Sequence, residues 1–445
     1  MIGRKTGSSS SHNDQSWVCS TASAVAPPHC AQKRRRAAMP FAPEDEGEHK
    51  DVASPLVQEA EHEEGPLASA VEDAARAIAE ADAMVIGTGA GMGVDSGLGT
   101  FRGRNAGVWE PLKAMQRDFS EMSCPDVFEE DERAAWAFWK FRHDTYTGSD
   151  PHDGYKILSA WGARMKHGCW SITSNIDGHW ARTPGMGAER TYEMDGSLTY
   201  MQTRSGHGPI WPTDGKRDYQ PMRVAPWDLQ PGERVEVLRG RANRTKWESS
   251  ATIKVAADSA TIVSYDDDGV GGPVETEGVR RAGGPDLCRV EPGCPLPCDP
   301  TGAEKARPNV LMFGDGSFNG DRIDSQEARY QQWLDSLDVT AKKLVVVEVG
   351  AGTAVPTIRM ACDRLLQRWA ASGGGRSARS ERWAQQPKDL SGDAASERRA
   401  TFVRINLDQS EVGISRSTGE RVAIGGMGAL EALKKLDTRV RALRV

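Results

Sequence analysis

Apolar residues along the chain follow two periods. Leu67, Val71, Ala74, Ala75 and Ile78 recur at helical spacing after Pro66, and the helix they predict runs into the apolar stretch Ala83-Met84-Val85-Ile86. Similar short runs follow at Trp170–Thr173, Val310–Phe313, Leu344–Val349 and Phe402–Ile405. Helical stretches lie between them, among them an aromatic-rich segment holding Trp136, Phe138, Trp139 and Phe141. Apolar strands alternating with helices predict an α/β fold built on a Rossmann-like parallel sheet. Two stretches break the pattern. Residues 372–399 are rich in Gly, Ser, Arg and Asp and poor in apolar residues, which predicts a disordered loop. Between Arg223 and Ala282 the period shortens: PGERVEVLRG, Trp247, SSATIKV, SATIVSYDDDG and VETEGVRR are separated by Gly and Asp turns. That spacing predicts a small five-stranded antiparallel barrel.

Composition narrows the picture. A chain of 445 residues with 38% hydrophobic content holds two or three domains and at least one sizeable core. The net charge of −7 gives no general attraction to nucleic acid or an anionic membrane. No apolar run approaches the roughly 20 residues a membrane span needs, so a soluble intracellular protein is expected. Eight scattered cysteines favour a reducing compartment over a disulfide framework. Residues 1–65 read as a disordered extension: Ser-rich at Ser8 to Ser11, basic at Lys33-Arg34-Arg35-Arg36, acidic from Glu44 onward. Scarce acid before Glu44 fits an organellar transit peptide and the basic run fits nuclear import; a solvated tail in the cytoplasm fits equally well.

The candidate chemistry starts immediately after the first strand. Gly87-Thr88-Gly89-Ala90-Gly91-Met92-Gly93-Val94-Asp95-Ser96-Gly97-Leu98-Gly99-Thr100-Phe101-Arg102-Gly103 is a Gly-rich turn of the kind that lets backbone amides approach a pyrophosphate. An ordinary dehydrogenase fingerprint would place its third glycine at Met92. The run resembles instead the sirtuin motif G-A-G-x-S-x-x-S-G-I-P-x-F-R-G. Four further segments resemble sirtuin blocks in the same order: Thr173-Ser174-Asn175-Ile176-Asp177-Gly178, Glu193-Met194-Asp195-Gly196-Ser197, Arg307–Asp315, and Gly352-Thr353-Ala354-Val355-Pro356 followed by Ile405-Asn406.

This resemblance implies an NAD-dependent protein-lysine deacylase that acts on acylated lysines and releases nicotinamide and O-acyl-ADP-ribose. It implies that Gly89, Ala90, Gly91, Gly97, Thr100, Phe101 and Arg102 line the dinucleotide. It further implies that Ser174, Asn175, Ile176 and Asp177 form the carboxamide pocket, and that Gly352, Thr353, Asn406 and Ala429 hold the adenosine half. The family's general base is a histidine, and Asp195 stands at that position here, with His179 and His207 nearby in sequence. The family also implies a structural zinc. Cys294 and Cys298, with Cys288 and His207, are the donors present, while Thr203 replaces the first expected cysteine. Free thiols in a loop without metal are the alternative. Arg142, three residues after Trp139, matches the arginine of a pair that some sirtuins use for acidic acyl groups.

The resulting organisation is an NAD-binding domain over 66–202 and 299–445, and a smaller zinc-ribbon-derived module over 203–298 carrying the barrel at 223–282. The barrel segment resembles Tudor-like domains, which implies a methylated protein partner held by Trp227, Trp247 and Tyr265 through cation–π attraction. Two alternatives to deacylation remain. One is a catalytically impaired reader that binds NAD or ADP-ribose; the other is NAD hydrolysis or ADP-ribosyl transfer.

Overall fold

The computed structural model describes residues 65–100, 109–239, 246–341, 343–372, 399–408 and 420–444. The N-terminal extension (1–64), Phe101 and Arg102, and most of the loop expected at 372–399 lie outside the described residues. In chain order the first elements are α1 (Pro66–Glu80), β1 (Ala83–Thr88), α2 (Glu110–Ala114), α3 (Phe119–Met122), α4 (Asp126–Glu130), α5 (Glu132–Thr147), α6 (Asp153–Ala163), β2 (Cys169–Thr173), α7 (His179–Arg182), β3 (Thr191–Glu193), β4 (Gly196–Thr203) and β5 (Trp211–Pro212). Five short strands follow: β6 (Arg234–Leu238), β7 (Trp247–Val255), β8 (Ile262–Tyr265), β9 (Gly271–Pro273) and β10 (Gly278–Arg280). The chain then forms β11 (Ala306–Val310), α8 (Asp321–Thr340), β12 (Lys343–Val349), α9 (Thr357–Ser372), β13 (Arg399–Asn406), β14 (Glu420–Gly425) and α10 (Ala429–Ala442).

Six of these strands make one sheet in the order β14-β13-β12-β1-β2-β3, with every neighbouring pair parallel. Parallel strands need crossovers, and the crossover helices cover both faces, so the strands are apolar on both sides. Alternate residues of β1 accordingly enter different cores. Met84 and Ile86 pack with Ala74, Ile78, Trp161 and Leu433 from α1, α6 and α10, whereas Ala83 and Val85 pack with Leu334, Ile358 and Leu366 from α8 and α9. Proline at the first turn of α1 costs no hydrogen bond, because that amide has no helical acceptor.

The chain leaves this sheet after β3. Strands β11, β4 and β5 form a small antiparallel sheet, and β6 to β10 form a second one in the order β10-β6-β7-β8-β9. The five antiparallel strands expected between Arg223 and Ala282 are therefore present. A third core joins them to helices α2 to α5: Phe128, Trp136 and Trp139 pack in one cluster with Leu198, Tyr219, Val237, Ile253 and Val310.

The sequence reading needs three corrections here. The run Val310–Phe313 is not a strand of the parallel sheet. Only Val310 belongs to a strand, and β11 runs antiparallel to β4 with a register shift at Pro308, which has no amide to give the ladder. Leu311 beyond it is exposed. Strands β3 and β14 were not foreseen.

Candidate functional site

A ligand crevice in an open parallel sheet forms beyond the carboxyl ends of the strands, where the direction of winding reverses. Here that point lies between β1, which continues to β2 on one side, and β12 on the other. The loops after these two strands interlock through their backbones. Gly89 N donates to Val349 O at 3.1 Å, Gly91 N to Gly350 O at 2.9 Å, and Gly350 N to Ile405 O at 2.9 Å. There is no room for a side chain at this junction. A Cβ on Gly91 would stand 2.7 Å from Gly350 Cα, and one on Gly350, whose φ is +63°, would stand 2.4 Å from Gly91 C. The glycines expected to admit a pyrophosphate thus also serve the contact between two loops.

From Ala90 to Ser96 the chain makes a 3-10 helix, closed by Gly97 in the left-handed region. Its Asp95 accepts from Leu430 N at 2.8 Å, a carboxylate placed at the positive end of α10. Ala429 is thereby brought beside this loop, and His152 fixes its other side through a 2.8 Å contact between Nε2 and Met92 O. Asn406 donates from Nδ2 to Ala351 O at 3.2 Å, so Gly352 and Asn406, expected at the adenosine half, border the same crevice; Thr353 is exposed.

The expected carboxamide pocket is built on the end of β2. Thr88 and Thr173 exchange a buried hydroxyl hydrogen bond of 2.9 Å, Trp180 Nε1 donates to Thr88 Oγ1 at 2.9 Å, and Thr173 Oγ1 accepts from Asn175 N at 3.0 Å. Asn175 Nδ2 in turn donates to Gly89 O at 3.0 Å, which ties the pocket loop to the glycine loop. Ile176 and Asp177 are buried, Ser174 and Asn175 half-buried, and Asp177 Oδ1 accepts from His179 N at 2.8 Å. The threonine pair and Trp180 are site residues that the sequence reading missed. They stand 85 and 92 positions apart in the chain, and only the adjacency of β1 and β2 brings them together.

Asp195 follows β3, in the turn to β4. Met194 N donates to Thr173 O at 2.8 Å and Leu198 N to Ile176 O at 3.0 Å, which sets Asp195 alongside the Asn175–Asp177 loop. The turn is anchored from below: Arg322 pairs with the buried Glu193, whose backbone amide donates to Gln326 Oε1. The carboxyl of Asp195 keeps a partly open face but is set deep among protein atoms. That burial pushes it up to about 7. A group poised near neutrality exchanges protons well at physiological pH.

The four proposed metal donors are not brought together. Cys288 and Cys294 are buried in the third core, Cys298 is half-buried with its thiol 3.7 Å from Leu296 O, and His207 is exposed. Burial, aided by the charge of Asp286, holds the Cys288 thiol well above its ordinary value. Among the described residues no three His, Cys, Asp or Glu side chains are grouped to hold a metal. Guanidinium groups tie this loop to the start of α5 instead. Arg133 donates to Glu291 O at 2.7 Å and reaches the Val290 and Cys294 carbonyls at 3.4 Å, while Arg289 pairs with Asp131 and Asp286. We expect dialysis against a chelator to leave the melting temperature unchanged and Arg133→Ala to destabilise by about 1–3 kcal/mol. Calorimetric scans of both samples check this.

The aromatics of the five-stranded unit do not converge either. Among the described residues Trp227, Trp247 and Tyr265 make no ring contact with one another. A caged cation needs its rings within about 6 Å. Arg280 already lies 4.2 Å over Trp247 and Lys254 5.6 Å over Tyr265, and Trp227 Nε1 donates to Ser259 O.

Arg142 is the last of the foreseen residues, and it is buried. Its guanidinium lies 4.5 Å from the Phe119 ring and 4.7 Å from Trp139, with Phe138 and Tyr146 completing the box. It donates from Nη2 to Tyr146 Oη at 3.3 Å, and its Nε has no partner among the described residues.

The parallel six-stranded sheet, with a crevice at its winding reversal between a glycine loop and a polar pocket, defines a Rossmann-like α/β protein. Comparison with known proteins names the class further. The Sir2 family profile matches residues 89–325, more than half of the chain, and the chain belongs to that family. It is 28% identical over 165 residues to an NAD-dependent protein deacylase of Corynebacterium glutamicum, which covers 37% of this chain and 60% of that protein. It is 30% identical over 146 residues to an NAD-dependent protein deacylase of Aeropyrum pernix, covering 32% and 54%. These matches therefore span less than two thirds of each relative. Among solved structures, a Sir2 homolog–NAD complex aligns over 84% of this chain and 95% of its own, at 16% identity and a TM-score of 0.43.

Proposed function

We propose that the protein is an NAD-dependent protein-lysine deacylase in which Asp195 replaces the usual histidine base. The observation that carries the reading is the placement of Asp195 beside Asn175 and Asp177, at the edge of the crevice bounded by Gly89–Gly91 and Gly350–Gly352. The residues present fit a dinucleotide: backbone is free to approach at the glycine loop, and the carboxylate of Asp177 suits the amide hydrogens of a carboxamide. NAD bound there supplies a glycosidic bond whose cleavage releases nicotinamide and leaves a ribose carbon open to an acyl oxygen.

The protein's own groups then have separate tasks. Asn175 and Asp177 hold the departing base, the first through its tie to Gly89 and the second through its bond to His179 N. Asp195 takes a proton from a ribose hydroxyl, which its raised affinity for protons favours near pH 7. Phe101 and Arg102, outside the described residues, are assigned by motif to the ribose face. The division into an NAD-binding domain and a smaller module fits the departure of the chain at β4 and its return at β11. Strand number and pairing support a Tudor-like barrel for the five-stranded unit, and the separation of its aromatics supports scaffolding over methyl reading. No zinc enters this scheme, since the donor set does not fit it.

Arg142 supports a preference for acidic acyl groups. A buried guanidinium with no carboxylate in ion-pair reach among the described residues is costly until an anion arrives. The α5 helix bearing it packs in the same cluster as Ile176 and Met312, close to the turn of Asp195. The test is nicotinamide release measured with NAD and a panel of acetylated and succinylated lysine peptides. Release that needs both NAD and an acyl-lysine supports deacylation, and release that no peptide accelerates overturns it. Arg142→Leu is expected to lower kcat/KM for the succinylated peptide about tenfold or more and to spare the acetylated one, since a charge-assisted pair contributes about 1.5–3 kcal/mol.

A further inference from the structure

Beneath the carboxamide pocket lies a buried polar pair to which the scheme above gives no part. Tyr155, on α6, and His179, at the start of α7, are both fully buried, and their rings meet edge to face at 5.4 Å. The Tyr155 hydroxyl has no hydrogen-bond partner among the described residues, and the ring nitrogens of His179 reach only toward the Ser149 backbone without good bonding geometry. Burying a hydroxyl and an imidazole without partners costs several kcal/mol when summed, so an apolar pair would be the cheaper filling for a core position.

Both side chains adjoin the pocket. The Asn175 side chain approaches the Tyr155 hydroxyl without reaching bonding geometry, and the charge of Asp177 bears on both groups. Asn175 commits its Nδ2 to Gly89 O, which leaves its Oδ1 as the acceptor that a phenol O–H can meet. Asp177 is held at Oδ1 by the backbone of His179 itself. Burial keeps the phenol protonated and the imidazole neutral, so each remains a hydrogen-bonding group without adding charge beside Asp177. Hydrogen bonds of this kind are often long in a free protein and tighten in the complex.

We propose that Tyr155 and His179 are positioning residues of the nicotinamide pocket: the phenol closes onto Asn175 Oδ1, and the imidazole backs Asp177, when the carboxamide seats. This rests on the deacylase reading of the crevice but concerns only how firmly the base is gripped. It is tested by calorimetric titration of nicotinamide into protein loaded with ADP-ribose, with ADP-ribose binding measured separately. Tyr155→Phe keeps the ring packing against Trp180 and His152. We expect it to weaken nicotinamide about five- to tenfold while the Kd for ADP-ribose stays within twofold; His179→Leu should do the same. A purely structural role would move both ligands together or neither. Nicotinamide affinity within twofold of the unmodified protein in both variants overturns the proposal. Failure of the unmodified protein to take up ADP-ribose overturns the deacylase reading, and this inference with it.

Discussion

Asp195→Asn should slow formation of O-acyl-ADP-ribose about 100- to 10,000-fold, the usual range for loss of a general base, and should stabilise the protein at the same time. The two effects share one cause. Burial raises the carboxyl from an ordinary 3.8 to about 7, so the folded state holds a proton that the unfolded chain releases. Between those values the unfolded state binds fewer protons, and stability must fall as pH rises through the window. The contribution is intact below about pH 4 and lost above about 7. Asparagine has no such dependence. The variant should therefore melt like the unmodified protein at pH 4 and be more stable at pH 8, by about 1–3 kcal/mol once the partly open face of Asp195 is allowed for. The acid limb of the rate profile, with an apparent pKa near 7, should vanish with it, whereas Asp195→His, which retains a base, should keep measurable activity. Unchanged turnover in Asp195→Asn would remove this residue from the chemistry.

Gly350→Ala should have the second large effect. Its Cβ has no space against Gly91, and alanine also resists the left-handed backbone that Gly350 adopts. Gly232, with φ +80° and open space around it, isolates the backbone part of that cost. We expect Gly232→Ala to lose about 1 kcal/mol and Gly350→Ala about 2–4 kcal/mol, the excess measuring the loop collision. Because the same collision pushes the glycine loop out of the crevice, ADP-ribose affinity should drop at least tenfold in Gly350→Ala alone. Denaturant melts and calorimetry on the two variants separate the terms.

How much of this was legible beforehand depended on how local each feature is. The runs Ala83–Ile86, Leu344–Val349 and Phe402–Ile405 identified themselves as strands, because a parallel sheet covered on both faces asks for mostly apolar residues, and the two charges inside these runs, Glu348 and Arg404, pair with each other. Strand β14 begins Glu420-Arg421 and β3 has only three residues, so neither presents such a run. Val310–Phe313 presents one without being one: Val310 and Met312 fill the third core, Leu311 is exposed, and Pro308 marks the irregular edge. The glycine loop, Asn175, Asp177 and Asp195 were readable as motif. Their supports were not, since Tyr155 and Trp180 carry no signature, and although Thr88 and Thr173 stand inside the motif runs, nothing in those runs says that the two meet. The cysteine spacing pointed to a metal because spacing says nothing of where the fold puts each donor, and among the described residues no three of them are grouped. The same blindness applies to Trp247 and Tyr265, neighbours in pattern whose rings lie against different cations, Arg280 and Lys254.

The pairing of β1 with β12 has a bearing on how the molecule comes into being. Ala83 lies opposite Leu344, so roughly 260 residues must leave the ribosome before the central strand acquires its second neighbour. Until then β1 presents an unpaired, wholly apolar edge, the kind of surface that recruits chaperones or other nascent chains. The crevice is thus among the last features to be born, and conditions that slow synthesis of the C-terminal third should be felt first as insoluble protein rather than as a weakened enzyme.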